Sequence, residues 1–271
     1  PGGEGNTLEE KLLCVKDSKI VNVMFNNHLE LDKKSFYLHL LGISSHVYMD
    51  TFSHYGFSGV CSELNEVKGE SFVLTVEDEG IKQYITEKAT SFFQKYSMDE
   101  LKKTITSFVG EKASRGLGHG ATATYPDRPY LTWSFEYEKG RYGSGALSGE
   151  RNNQATFLEG VQKLYDKLSK ASKRKYANPK IEELPIVKIK DILAFEADKE
   201  GRIEKWQTLI EEIDGTIIDY LGAEWEEQKE QFPTLNTPDH INDCYKFHQA
   251  ATYHRWFTLK DLLPENGIYA V

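Results

Sequence analysis

Cysteine, positive charge and long apolar runs are all scarce in this 271-residue chain. Its three cysteines, Cys14, Cys61 and Cys244, are far apart and odd in number, which excludes a disulfide framework and a cysteine-based zinc ribbon. No stretch approaches the roughly 18–20 consecutive apolar residues that a membrane-spanning helix needs. With 33 Lys and Arg against 42 Asp and Glu, the net charge of −9 excludes a protein that coats nucleic acid or anionic membrane by bulk charge. A signal-peptide pattern is also missing, and the chain opens Pro1-Gly2-Gly3 without a methionine. The expectation from these features is a cytoplasmic chain lacking N-terminal residues of a longer protein. A partner chain or that missing segment would then complete any site.

What is present is a well-filled apolar complement, 39% hydrophobic and 12% aromatic, too high for disorder and sufficient for a sizeable core. The patterning predicts a mainly α multi-helix bundle, with a long Gly/Pro-rich loop and at most a short strand or hairpin. One helical domain over 1–271 is expected, with a sub-boundary near 176–186, where Pro179 and Pro185 fall. Residues 1–10 read as a flexible lead-in. Asp32 is the expected N-cap of a long helix from Lys33 to Phe57, ended by Gly56 and Gly59. Ser71–Val76 reads as a short strand or the approach to a helix, and Glu77–Lys112 as helix divided near Ser97. Residues 114–151 change character, with clustered glycines around one extended stretch, Tyr130–Tyr137. Further helices are expected over Asn153–Ser172, with Asn153 as cap, and over Val187–Phe195, Arg202–Leu221 and His240–Leu263.

Eight histidines are unevenly spread, four of them (His28, His39, His46, His54) within 27 residues. His46, Asp50 and His54 recur at i, i+4 and i+8, so about 40° of drift separates successive members and all three share one helix face. His39 lies seven residues before His46, close to the same line. Two imidazoles and a carboxylate on adjacent turns can converge on a metal ion, and zinc suits mixed nitrogen and oxygen ligands. A lone core histidine is ordinary, but four ionisable groups buried unpaired on one face would cost several kcal/mol. His28 is expected in a loop or at the surface.

A second constellation follows at Gly118-His119-Gly120 and Tyr125-Pro126-Asp127-Arg128-Pro129-Tyr130. Glycines beside His119 allow close backbone approach, and two prolines stiffen the tip that presents Asp127 and Arg128. Asp127 is a candidate metal ligand and Arg128 a candidate phosphate ligand. Arg151-Asn152-Asn153 offers a second possible phosphate clamp. His248 and His254 lie six apart, about 120° off a common face, and with His240 are expected to be structural.

These motifs resemble a family of bacterial proteins of unassigned activity. The likeness runs through LHLLGI-x-x-H-x-x-x-DT-x-x-H-x-GFSG at 38–59, then GHG and YPDRPY-x-x-W, then Arg151-x-Asn153, and on to Phe247, His254-Arg255 and Leu262–Ile268. More distantly, the His-x-x-x-Asp helix is similar to the zinc-dependent phospholipase C and P1 nuclease superfamily. That similarity implies an all-α enzyme whose zinc cluster hydrolyses phosphodiesters, with further ligands near the N-terminus. The chain departs from the superfamily there, since it begins with Pro1 and not with a ligating Trp.

The reading that follows is a hydrolase of phosphoesters with one to three zinc ions held by His39, His46, Asp50, His54, His119 and Asp127. Asp50 is alternatively a general base, and Arg128 stabilises developing phosphate charge. The partner is a phosphate-containing small molecule or lipid. The first alternative is a His-Asp dyad phosphohydrolase, whose adjacent His-Asp dipeptide does not occur in the sequence. The second is a non-enzymatic, metal-stabilised helical scaffold or a subunit of a toxin or defence assembly.

Overall fold

The computed structural model describes residues 1–3, 5–60, 62–95, 119–138, 150–217, 221–231 and 243–269, and these are mainly α-helical. A one-turn helix, α1 (Leu8–Lys11), is closed by a capping box in which the Thr7 and Glu10 side chains bond each other's backbone N–H. It leads into α2 (Lys19–Leu29), capped by Ser18, whose hydroxyl accepts from Val21 N–H at 3.2 Å. Ile20, Val21, Met24, Phe25 and His28 make a buried stripe at helical spacing. This helix was not expected, and His28 is neither loop nor surface but fully buried on it.

The long helix α3 runs Tyr37–Ser53, shorter at both ends than the sequence suggests. Residues 31–36 form successive turns, with Lys34 N–H on Leu31 O and Tyr37 N–H on Lys34 O, so Asp32 does not cap the helix. At the other end His54 is the C-cap residue at φ −100°, ψ 11°, and the chain then leaves the helix axis. The departure is fixed by distant backbone: Gly56 N–H bonds Cys14 O and Cys14 N–H bonds Phe57 O, each at 2.8 Å, with Gly56 at φ +85°.

A three-stranded antiparallel sheet follows, with order β1 (Val73–Thr75), β2 (Thr132–Ser134) and β3 (Arg151–Asn152). Leu74 pairs with Trp133, and Trp133 with Arg151. Helix α4 (Glu79–Lys95) covers it, so that Ile85 and Ala89 join Phe57, Tyr125, Trp133 and Phe135 in one aromatic core. The expected continuation through Ser97 to Lys112 lies outside the described residues, as do the glycines at 114–118 and 139–149 and Cys61.

Helix α5 (Asn153–Lys175) is capped by Asn152, whose carboxamide oxygen accepts from Ala155 N–H at 2.8 Å; Asn153, the expected cap, has another task. Its basic end is a helix terminus: Arg174 Nη2 donates to both carboxylate oxygens of Glu30, and Lys175 lies over the Tyr37 ring. The rest of the chain forms α6 (Ile186–Ala194), α7 (Lys199–Asp214), α8 (Gly222–Gln231) and α9 (Asp243–Phe257). A π-helical turn, Thr258–Leu262, and a last turn, Leu263–Glu265, follow α9. Helix α8 was not expected, and His240 lies outside the described residues.

Helix α3 packs against α2, α5 and α9 around Met24, Phe25, Tyr48 and Phe52. A close crossing makes room for α5: a Cβ on Gly160 would lie 2.9 Å from Met49 Cε and 3.0 Å from the Phe52 ring. Among the described residues no helix is long and apolar enough to cross a membrane.

Candidate metal centre

Three ligand-type side chains converge where the C-terminus of α3 meets the loop before β2. His54, His119 and Asp127 each bring one ligand atom within 4.8 Å of the others. His54 is the last residue of α3 to make a helical bond, its N–H on Asp50 O at 2.8 Å, yet its ring does not pair with the Asp50 carboxylate. Its Nε2 instead donates to Asp127 Oδ1 at 2.8 Å, and its ring stacks on His119 with centroids 4.1 Å apart and planes 14° from parallel.

The supporting bonds set the protonation states. A carbonyl oxygen accepts only, so His119 Nδ1–H donates to Ala123 O at 3.1 Å and leaves Nε2 with its lone pair for the cluster. That is the backbone-carbonyl support that metal-bound histidines usually have. Ala123 is itself strained, a non-glycine residue at φ +49°, ψ −125° with its side chain fully buried. Burial, and after it the charge of His54, hold His119 below the ordinary histidine pKa, so it stays neutral. Burial pushes the Asp127 carboxyl up, but the hydrogen bond and charge of His54, with a further hydrogen bond from Ser53, outweigh it and leave the carboxyl below its usual range. A neutral imidazole beside an ionised carboxylate is the state that binds a cation. The donor set of two imidazole nitrogens and one carboxylate fits zinc. Bonds of about 2.0–2.2 Å would replace the direct His54–Asp127 hydrogen bond with a shared ion.

Two neighbouring residues hold the segments that bring these groups together. Arg151, only 2% exposed, donates to Ser53 O at 2.8 Å and Tyr55 O at 2.9 Å, and its guanidinium lies 3.7 Å from the Tyr55 ring centroid. It ties down the end of α3, with Nη1 and Nη2 both engaged by backbone carbonyls. Asn153 Nδ2 donates to Tyr125 O and Arg128 O, each at 2.8 Å, while its Oδ1 accepts from Trp133 Nε1 at 3.0 Å. It thereby fixes the Tyr125–Asp127 turn that carries Asp127.

The remaining sequence candidates lie elsewhere. His46 is 79% exposed, and its Nε2 is 3.5 Å from Asp50 Oδ2, one turn before His54. Asp50 is outside the three-residue cluster, although its charge reaches His119. His39 Nε2 is 3.4 Å from Asp243 Oδ1 and links α3 to α9. Arg128 is buried, with Nη2 on Thr124 Oγ1 at 3.2 Å and its guanidinium over the Tyr84 ring. His254 packs edge-on against His28 at 5.2 Å. Sequence reasoning missed the positioning work of Arg151 and Asn153; the shared signal was the Arg-Asn-Asn run before a helix, which local capping explains equally well.

No curated protein and no solved structure matches the chain. The profile of one family, described as a family of unknown function (DUF6765), matches residues 1–262. That match covers nearly the whole chain, including every residue of the cluster, and the protein belongs to the DUF6765 family.

Proposed function

We propose that the protein is a metal-dependent hydrolase of phosphoesters, with zinc held by His54, His119 and Asp127. The observation that carries this reading is the convergence of two imidazoles and a carboxylate from separate parts of the chain. A catalytic zinc has three protein ligands and an open position, whereas a structural zinc is closed by four. Among the described residues the cluster has three, which favours the enzyme over the metal-stabilised scaffold.

A zinc ion there would polarise a phosphoryl oxygen and lower the pKa of a water molecule. The chain's own residues do the rest. Asp127 supplies negative charge, and His119 presents Nε2 because Ala123 O holds its other nitrogen. Asp50, which pairs with His46 and whose charge reaches His119, would accept the proton of the attacking water. As the water oxygen bonds to phosphorus, the ester P–O bond breaks, and the leaving alkoxide takes a proton from solvent at this partly exposed site. The substrate we propose is a phosphodiester of a small molecule or lipid.

Zinc-loaded protein should hydrolyse members of a panel of nitrophenyl phosphoesters and lipid headgroup phosphodiesters. Chelation should abolish the activity, and Asp50→Asn should lower it with zinc still bound. Zinc-loaded protein inert on the whole panel would overturn the hydrolase while leaving the metal centre in place.

A further inference from the structure

His28 and His254 leave two buried ring nitrogens that the fold does not use. His28, on α2, is fully buried. Its Nδ1 lies 2.7 Å from Ser44 Oγ, and that hydroxyl gives its only hydrogen to Leu40 O at 2.6 Å. The Ser44 oxygen therefore accepts from His28 Nδ1–H, and Nε2 keeps its lone pair. This Nε2 has no hydrogen-bond partner, and neither has the buried Nδ1 of His254 on α9. The two rings meet edge to face with centroids 5.2 Å apart. Thr258 Oγ1, one turn beyond His254 where the π-helical turn begins, is a third buried polar atom without a partner. Each such atom costs about 1–3 kcal/mol when nothing answers it, and π-helical turns gather at functional sites.

The surroundings restrict what could answer them. Tyr253 and Phe257, also on α9, lie against His28 with ring centroids 5.8 Å and 5.7 Å away. Met24 sits one turn before His28 on the same buried stripe of α2, in the core that Phe257 and Tyr253 share. Among the described residues the histidines paired with a carboxylate are His39, His46 and His54, and neither His28 nor His254 has such a partner. Burial holds both imidazoles below the ordinary histidine pKa, so each stays neutral and able to bind a cation. A buried divalent ion without an anionic ligand would carry a large desolvation cost. A soft monovalent ion costs less to bury, and thioether and imidazole are donors that suit copper(I). With metal–nitrogen bonds of about 2.0 Å, two imidazoles on one ion have centroids about 5–6 Å apart. The observed 5.2 Å falls in that range.

We propose that His28 Nε2 and His254 Nδ1, with Met24 as a thioether donor from the same face of α2, bind one copper(I) ion between α2 and α9, separate from the cluster of His54, His119 and Asp127. Ser44 Oγ holds the far nitrogen of His28, the support that a ligating histidine usually has behind it. The ion satisfies both orphaned nitrogens at once and joins two helices that otherwise meet here through ring contacts. The site rests on these residues alone and depends neither on zinc at the cluster nor on hydrolysis.

The test is anaerobic titration with copper(I) against a chromophoric copper(I) chelator, in a His119→Ala background that disables the cluster, followed by NMR of the histidine rings. That protein should take up one copper(I) per chain, with the His28 and His254 ring signals shifting together, and zinc should not displace it. Adding His28→Asn, which keeps a partner for Ser44, or His254→Gln should each lower the affinity about 100-fold or more, as loss of a ligand does. Should His28→Asn fail to unfold cooperatively, His254→Gln, at the less buried of the two rings, decides the matter. Absence of copper(I) binding, the result expected if a buried water answers the two nitrogens, would overturn the proposal. So would equal affinity in His254→Gln, or zinc bound at these rings more tightly than copper(I).

Discussion

Arg151 and Asn153, two residues apart where β3 passes into α5, hold the two chain segments that meet at the His54–His119–Asp127 cluster. Arg151 grips Ser53 O and Tyr55 O on either side of His54, and Asn153 grips Tyr125 O and Arg128 O on either side of Asp127. The 2.8 Å contact between His54 and Asp127 is thus set from behind, by side chains that do not touch it.

Asn153→Ala should leave buried carbonyls and the Trp133 indole N–H unpartnered, at a cost of about 2–4 kcal/mol. The freed turn should also weaken zinc binding by roughly 10–100-fold, the usual effect of losing support behind a ligand. Asn152→Ala, which removes an N-cap only, should cost about 1 kcal/mol and leave zinc affinity unchanged. Urea unfolding and zinc competition on both variants check the pair.

The buried His28 makes stability depend on pH. Burial, then the charge of His254, lower its pKa to about 3. In the unfolded chain it titrates near 6.5. Between these two values the unfolded state binds a proton that the native state refuses, so stability falls as pH drops through that window, by up to about 1.4 kcal/mol per unit. The loss ends below about pH 3. Asn can imitate the Nδ1 bond to Ser44 Oγ (2.7 Å) without titrating. His28→Asn should therefore flatten the profile of unfolding free energy against pH between 6.5 and 4.

The crossing of α3 over α5 depends on the missing side chain of Gly160. Gly160→Val should push against Met49 and Phe52 and cost about 1–3 kcal/mol through overpacking. Thermal unfolding should register a lower Tm, and the shift should be smaller in the double variant Gly160→Val, Met49→Ala, where the side chain has been given space.

Much of this architecture is written in local pattern. The apolar spacing of α3, the glycines and prolines that bracket His119 and Asp127, and the extended stretch Tyr130–Tyr137, within which β2 (Thr132–Ser134) falls, identify their elements and the loop of two of the three cluster residues. The third, His54, stands out in the sequence by its periodicity with His46 and Asp50, whereas the partners of its ring are His119 and Asp127. That periodicity is real, but bonds between Gly56, Phe57 and Cys14 end the helix, and no local rule registers a partner about 40 residues away. Helix α2 was missed although Ser18 is a good cap, because Asn22, Asn26 and Asn27 dilute its pattern. Arg151 and Asn153 look like surface or capping residues until the sheet and α3 are in place around them.

Zinc titration against a chromophoric competitor, on wild type, His119→Ala and His46→Ala, tests the metal centre most directly. The arrangement predicts one zinc per chain for wild type, affinity lower by about 100-fold or more in His119→Ala, and little change in His46→Ala, whose exposed ring stands outside the cluster. Wild type without affinity for zinc, or His119→Ala binding it as tightly as wild type, would contradict the account.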